Sequence, residues 1–316
     1  MKWLLLATVL LFTSNCFSQA LPNSEKDGVY YTVNGAKLWT VSFGAGEPLF
    51  LIAGGPGGAH VGMRAFDSLY KNCRLVYFDS FGRGKSDTAL NVKEYTLARD
   101  IDDVEELRKA MKLDKINVLG HSYGSVVAQG YAIKYPQHVS RLILSSPFHS
   151  NVMWQENCDN CNRQIRISYP EVWDSLLLVR KQGFRSIDSI HRAVYSRVPS
   201  WFLYGYNPET LINYPRVPYP NKRNMALYYQ MVGKDGDFKV TGDLGAFDYR
   251  RQLKDLKMPI LIIAGRYDRV AVPWMTVQYR KYCPQARFEL FEKSGHVSII
   301  EEPVKTVALI RELLDR

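Results

Sequence analysis

Long apolar runs alternate with amphipathic segments along most of the chain. The runs "PLFLIAGG" (48–55), "RLVYFDSFG" (74–82) and "PILIIAG" (259–265) are almost continuously apolar, as is typical of strands that are buried on both faces. The segment 96–113 instead repeats its apolar residues at helical spacing, at Leu97, Ile101, Val104, Leu107 and Met111. This alternation predicts an α/β fold with a mostly parallel, twisted sheet and helices on both faces.

Shorter segments continue the same rhythm. Further strands are predicted in "KLWTVSFG" (37–44), "KINVLG" (115–120), "SRLILSS" (140–146) and "ARFELFE" (286–292). Helices are predicted in "YGSVVAQGYAIKY" (123–135) and in the C-terminal "PVKTVALIRELLDR" (303–316). The alternation of strands and helices therefore continues to the C-terminal helix.

The alternation of strand and helix patterns is interrupted between residues 147 and 250. This stretch is rich in aromatic residues and contains the proline-rich "YPRVPYP" (214–220). It is too long for a loop and too irregular for more sheet, so we expect a mostly helical lid, inserted at 147–250 between core segments 21–146 and 251–316. Some of its aromatic residues are expected to line an apolar pocket, and most to pack within the lid.

The first twenty residues predict a secretory signal peptide. Lys2 is followed by an apolar run from Trp3 to Phe12, and the small-x-small pattern ends at Ala20. The run is too short to span a bilayer comfortably. We therefore expect an exported protein, periplasmic or extracellular, with a lipid anchor on Cys16 as the less favoured alternative.

The composition adds few constraints on binding partners. The chain has 316 residues with 41 Lys and Arg against 31 Asp and Glu, a net charge of +10. The basic residues are scattered among acidic ones, which does not favour a nucleic-acid surface.

The cysteines do not indicate a metal site. Cys73, Cys158, Cys161 and Cys283 remain after the predicted cleavage. Cys158 and Cys161 form a C-x-x-C pair with no second ligand pair for zinc, so a local disulfide and two free thiols both remain open. No metal or organic cofactor is expected.

The motif "GHSYG" (120–124) carries the first candidate chemistry. Ser122 follows a predicted buried strand and precedes a predicted helix, and Gly120 and Gly124 are the residues that a tight turn between them needs. A serine hydroxyl becomes a good nucleophile when a histidine, oriented by a carboxylate, takes its proton. Asp268 follows the strand 259–265 and His296 follows the strand 286–292, which gives the chain order serine, acid, histidine. We therefore predict a Ser122–Asp268–His296 triad.

Two backbone N–H groups are expected to bind the oxyanion. One belongs to Tyr123, directly after the nucleophile, and the other to Gly55 in the "GGPGG" turn (54–58). Gly55 has no side chain to block approach, and the following Pro56 has no N–H.

Together, "GGPGG", "FDSFGRGKSD" (78–87), "GHSYGS", "GRYD" and "SGH" resemble the α/β-hydrolase fold. More narrowly, they are similar to its proline iminopeptidase group, from about Tyr30 to the C-terminus. The resemblance implies an exopeptidase that removes an N-terminal residue, usually proline, from short peptides.

Two positions depart from the family pattern. The histidine that precedes G-G-P-G in the family is Ala53 here, a position that supports the oxyanion turn. Family members bind the substrate amine with carboxylates. The lid carboxylate resembles Asp237, which is equally compatible with an ordinary turn residue, whereas the position after the triad acid is Arg269. Arg269 is expected to pair with a nearby carboxylate or to favour a substrate carboxylate.

The sequence thus favours a secreted serine hydrolase that releases N-terminal proline or a small apolar residue through an acyl-enzyme. A carboxylesterase or lactonase with the same triad is the alternative, and a non-catalytic binding protein on a hydrolase scaffold is a third. A small peptide or other small molecule is the expected partner, and the oligomeric state stays open.

Overall fold

A computed structural model describes residues 28–215, 219 and 224–315. Within these residues the strands form an eight-stranded sheet in the order β1-β2-β4-β3-β5-β6-β7-β8. The strands are β1 (Val29–Val33), β2 (Ala36–Phe43), β3 (Pro48–Ile52), β4 (Arg74–Phe78), β5 (Ile116–His121), β6 (Val139–Ser145), β7 (Ile260–Gly265) and β8 (Arg287–Phe291). Strand β2 pairs antiparallel with β1 and β4, and every other pair is parallel.

Most helices in the described residues fall into two groups. The core helices are α1 (Leu97–Ala110), α2 (Tyr123–Lys134), α9 (Pro273–Thr276), α10 (Tyr279–Tyr282), α11 (Ser298–Glu301) and α12 (Pro303–Leu314). The helices between β6 and β7 are α3 (Asn151–Ser168), α4 (Pro170–Lys181), α5 (Ser189–Tyr195), α6 (Ser200–Tyr204), α7 (Pro208–Ile212) and α8 (Met225–Val232). Short 3-10 helices occupy His60–Lys71, Val92–Glu94, Pro136–His138, Asp243–Gly245 and Leu253–Asp255.

The central strands are largely apolar because both faces of the sheet are covered there. Along β5, Val118 belongs to the apolar cluster that includes α1 and α2, while the next residue, Leu119, belongs to the cluster on the opposite face. The 3-10 helix at His60–Lys71 and α12 cover that opposite face. Successive strand residues point to opposite faces, so each position of the strand enters one of the two cores.

The predicted α/β-hydrolase architecture is confirmed, including a mostly helical insertion between β6 and β7. The lid boundaries at 147 and 250 remain predictions. Strand β1 and the 3-10 helix at His60–Lys71 were not predicted. Tyr30 and Val29 on β1 are about half exposed, so the strand lacks the strong apolar signal of its neighbours.

The predicted signal peptide, including Cys16, lies outside the described residues. In the part of the chain that the structure describes, no helix combines the length and the apolar character needed to cross a membrane.

Candidate active site

Ser122 occupies a sharp turn between β5 and α2. Its backbone has φ 54° and ψ −123°, a left-handed conformation that is strained for a residue with a side chain. Its N–H donates to the carbonyl of Ser145 at 2.9 Å. A Cβ at Gly120 would lie 2.3 Å from the oxygen of Gly124, and a Cβ at Gly124 would lie 2.0 Å from the oxygen of Ile52. Both glycines are therefore required by close backbone approach.

Asp268 and His296 lie together at the carboxyl ends of β7 and β8. Nδ1 of His296 is 2.8 Å from Oδ2 of Asp268, and both residues are almost fully buried. The other carboxylate oxygen, Oδ1, accepts hydrogen bonds from the N–H groups of Val270 and Ala271, each at 2.8 Å. The carboxylate is thus held by its own loop and orients the imidazole ring.

The lid holds the backbone of the histidine loop. The N–H of His296 donates to the carbonyl of Tyr204, at the end of α6, at 2.8 Å. A Cβ at Gly295 would lie 2.6 Å from that same oxygen, so only glycine permits the approach. Nε2 of His296 is buried and has no hydrogen-bond partner among the described residues. This nitrogen can take part in proton transfer once a substrate is bound.

A second histidine, His121, lies beside His296, and its surroundings favour the neutral imidazole. The His121 and His296 rings have centroids 5.1 Å apart, which also shows how close His296 lies to the Ser122 turn. Burial lowers the pKa of His121 to about 3, and the neighbouring His296 adds to the effect. His121 therefore stays uncharged at neutral pH and adds no competing positive charge.

The "GGPGG" turn lies against the nucleophile. A Cβ at Gly54 would lie 3.1 Å from Cβ of Ser122. Gly55 has φ +142° and lines one cavity together with Ser122. Tyr123 is the first residue of α2, where backbone N–H groups point out of the helix end. The two residues predicted as oxyanion donors thus flank Ser122.

A cavity of about 250 Å³ opens between the Ser122 turn and the lid. Besides Gly55 and Ser122, its walls are built largely by aromatic and apolar side chains: Phe148, Trp154, Tyr195, Leu203, Tyr204, Met225, Tyr228, Tyr229 and Val270. A cavity of this size and character suits a small molecule with an apolar group.

Asp237 also lines this cavity, on the loop after α8. Its N–H donates to Oγ of Ser186 at 3.1 Å, and its carbonyl accepts from Nδ2 of Asn162 at 2.9 Å. Its carboxylate lies 3.8 Å from Nδ1 of His191. Burial lowers the pKa of His191, which disfavours its charged form. The structure therefore brings Asp237 into the same cavity as Ser122.

Arg269 is not among the residues that line the cavity, although the next residue, Val270, is. Its guanidinium donates to the carbonyls of Phe202 at 2.8 Å and Gly205 at 3.2 Å, and it stacks 4.8 Å from the Phe202 ring. Its partners are thus backbone carbonyls and an aromatic ring of the lid. These contacts give Arg269 a place in fixing α6 over the core, and its predicted contact with substrate remains a prediction.

Cys158 and Cys161 are free thiols in the structure. They lie on α3, and both line the cavity. Burial raises the pKa of Cys161 to about 12 and that of Cys158 well above its ordinary value. Both thiols are therefore held in the protonated form at neutral pH, which is the weaker nucleophile.

Sequence reasoning missed several polar residues that line the cavity, two of which lie on lid helices. Asn157 and Arg192 reach it from α3 and α5, and the guanidinium of Arg192 donates to the carbonyl of Ile187. Neither residue belongs to a motif, and lid helices carry no regular strand-to-helix signal that would place them. Only the three-dimensional arrangement of the lid identifies them.

Comparisons with known proteins agree with this fold. Residues 47–303 match the alpha/beta hydrolase fold family. The chain is 29% identical over 279 residues to the proline iminopeptidase of Heyndrickxia coagulans, covering 86% of this chain and 92% of that one.

Two solved structures are similar in fold. The crystal structure of a proline iminopeptidase from Mycobacterium smegmatis has a TM-score of 0.73 at 20% identity, covering 91% of this chain and 97% of that one. A malate-bound thermophilic esterase from Thermogutta terrifontis has a TM-score of 0.61 at 21% identity, covering 91% and 98%. The chain belongs to the α/β-hydrolase fold family and, within it, is similar to proline iminopeptidases.

Proposed function

We propose that this protein is a serine aminopeptidase that releases an N-terminal proline, or a small apolar residue, from short peptides. The observation that carries the proposal is one cavity lined by both Ser122 and Asp237, beside the buried Asp268–His296 pair at 2.8 Å. A nucleophile and a carboxylate that share one cavity fit a substrate with a scissile carbonyl and a free amine.

In the proposed reaction, Nε2 of His296 takes the proton of Ser122 as Oγ attacks the carbonyl carbon. The N–H groups of Gly55 and Tyr123 stabilise the resulting oxyanion. The C–N bond then breaks, and His296 gives its proton to the leaving amine. Water, deprotonated by His296, then attacks the acyl carbon. The bond from that carbon to Oγ of Ser122 breaks, His296 returns the proton to Oγ, and the amino acid is released.

Asp237 is the proposed partner of the substrate ammonium. An ammonium group is costly to remove from water unless a carboxylate receives it. The aromatic wall formed by residues such as Trp154, Tyr204 and Tyr228 would enclose the proline ring, so the pocket would combine one charge with an apolar surface.

The triad is tested by substitution. Ser122→Ala, Asp268→Asn and His296→Ala should each lower kcat by about 10³ or more, without additivity, because the three residues act as a unit. Hydrolysis of prolyl anilides is the measurement, with thermal unfolding as the control for folding. Near-normal turnover by Ser122→Ala would rule out the serine mechanism.

Amine recognition is tested with Asp237→Asn. The variant should raise KM for prolyl anilide, because the ammonium loses its partner, and should leave a small neutral aryl ester almost unchanged. The matched control is Asp159→Asn, which removes the same charge from an exposed position on α3. The wild type should also reject N-blocked prolyl anilide.

Equal turnover of blocked and free substrates would refute the aminopeptidase. So would equal losses by Asp237→Asn on anilide and ester. Either result would favour the carboxylesterase or lactonase alternative, which uses the same triad.

Export is a separate part of the proposal. Cleavage after Ala20 should leave mature protein that begins near Leu21. N-terminal sequencing of protein recovered from the cell envelope or the medium is the measurement, and a mature protein that retains Met1 would contradict it.

A further inference from the structure

A buried cluster of three side chains links the turn at 54–58 to the start of α2, the two segments that lie beside Ser122. We call it the site cluster: Arg83 in the loop after β4, Asp100 in α1 and Tyr123 at the start of α2. Their exposed fractions are 4%, 4% and 2%. Nη1 and Nη2 of Arg83 each donate to one carboxylate oxygen of Asp100 at 2.6 Å, and the Tyr123 hydroxyl donates to Oδ2 of Asp100.

The third donor of Arg83 reaches the oxyanion turn. Nε of Arg83 donates to the carbonyl of Pro56 at 2.9 Å. Gly55 directly precedes Pro56 in this turn, and the turn is tightly folded, because a Cβ at Gly58 would lie only 2.6 Å from the oxygen of Gly54. Holding Pro56 therefore fixes Gly55 as well.

We infer that the site cluster positions both donors of the oxyanion hole relative to each other. Arg83 holds the turn that contains Gly55, Asp100 holds Arg83, and Asp100 also fixes Tyr123, whose own N–H is the second donor. A rigid link of this kind suits oxyanion stabilisation, which depends on donors set in place before the reaction. The inference rests on the proposed serine mechanism and does not depend on which substrate is cleaved.

The charge states of the cluster suit a fixed role. Burial acts against the charge of Arg83, but Asp100 outweighs it and raises the pKa of Arg83 above its ordinary value. Burial, reinforced by Asp100, raises the pKa of the Tyr123 hydroxyl well above its ordinary value. The hydroxyl therefore stays protonated and remains a donor.

The chain supplies a matched control in a second cluster between the same two helices. In this distal cluster, the hydroxyl of Tyr131 in α2 donates to Glu105 in α1 at 3.0 Å, and Arg108 donates to Glu105 at 2.6 and 2.9 Å. Tyr131, Glu105 and Arg108 are also buried. Arg108 reaches the carbonyl of Asp114 at 3.1 Å, in the loop before β5, instead of the oxyanion turn.

The test compares Tyr123→Phe with Tyr131→Phe, each of which removes one buried hydroxyl from α2. With a small neutral aryl ester, Tyr123→Phe should lower kcat about tenfold or more with KM unchanged, since a misplaced donor weakens mainly the transition state. A trifluoromethyl ketone, which Ser122 converts to a tetrahedral oxyanion, should bind Tyr123→Phe more weakly by a similar factor. Tyr131→Phe should keep both values within about twofold.

Thermal unfolding of both variants separates positioning from structural damage, because a purely structural hydroxyl would lower stability alone. Equal kcat in the two variants, or a loss of kcat with unchanged trifluoromethyl ketone binding, would overturn the inference. These results are distinct from failure of the aminopeptidase proposal, in which the ester is hydrolysed but prolyl anilide is not. Full ester turnover by Ser122→Ala would overturn both.

Discussion

The two clusters between α1 and α2 are built from the same chemistry but differ in their surroundings. Each pairs one tyrosine, one carboxylate and one arginine below the surface. In the distal cluster, Glu105 also has Lys109 and His138 at 3.8 Å. In the site cluster, Arg83 is the one cation in a salt bridge with Asp100 among the described residues.

The carboxylate of the distal cluster has more than one cation nearby, whereas that of the site cluster depends on Arg83 alone among the described residues. Removing Arg108 leaves the ammonium of Lys109 near enough to compensate part of the charge of Glu105. Removing Arg83 leaves Asp100 buried with an uncompensated charge, which is among the most damaging changes in a protein interior. The site cluster is therefore less tolerant, and it is the one attached to the proposed oxyanion turn.

Arg83→Met should have the largest effect. The carboxylate of Asp100 loses its ion pair and the carbonyl of Pro56 loses its donor, so we expect a loss of about 3–5 kcal/mol in the free energy of unfolding. Arg108→Met should cost less, about 1–3 kcal/mol, because Lys109 remains near Glu105. Urea unfolding of both variants is the measurement. A cost of Arg108→Met equal to or above that of Arg83→Met would remove the proposed difference.

The double variant Arg83→Met/Asp100→Asn should show a smaller effect on stability. With both charges gone, about 1–3 kcal/mol of the stability lost in Arg83→Met should return. Ester kcat should stay low, because Pro56 still lacks its donor and the oxyanion turn is still released. If kcat recovers together with stability, Arg83 acts on catalysis through folding alone.

Its control is Arg108→Met/Glu105→Gln. Because Lys109 stays near Glu105 when Arg108 is lost, removing the charge of Glu105 should return less stability than the site pair does. Ester kcat should remain near that of the wild type in both distal variants.

The sequence predicts the parts of this architecture that depend on local patterns. Strands β3, β4 and β7 are recognisable because both of their faces are buried, which removes polar residues from the run. The spacing of Gly120, Ser122 and Gly124 indicates the turn, because a Cβ at either glycine would overlap backbone. The order of Ser122, Asp268 and His296 led to a predicted triad, and the structure places Asp268 and His296 in contact.

The remaining features depend on contacts between distant parts of the chain. Arg83 and Asp100 are 17 residues apart, and nothing local distinguishes Asp100 from Asp102 or Asp103 in "RDIDDVEE" (99–106). Arg269 could not be assigned to the lid carbonyls of Phe202 and Gly205 because the path of the lid has no sequence signature. Pairings of this kind can be identified only from the three-dimensional structure.

The smallest predicted effect concerns pH and the distal cluster. Burial acts to raise the pKa of Glu105, but the hydrogen bonds from Arg108 and Tyr131 outweigh it and hold that pKa below its ordinary value of 4.5. Glu105 therefore contributes stability that is present above pH 4.5 and is lost as the pH falls through its lower folded-state pKa.

Replacing Glu105 by Gln should flatten the loss of unfolding free energy on acidification below pH 4.5, by at most about 1.4 kcal/mol per pH unit for one proton. The control is Glu106→Gln, which removes a partly exposed carboxylate from the same helix. It should leave the loss of unfolding free energy below pH 4.5 close to that of the wild type. Ester kcat at neutral pH should be unchanged by Glu105→Gln, because the distal cluster holds the loop before β5 and does not contact the oxyanion turn. A drop in kcat comparable to that of Tyr123→Phe would show that both clusters act on the site through the shared helices, and that the contrast between them is one of degree.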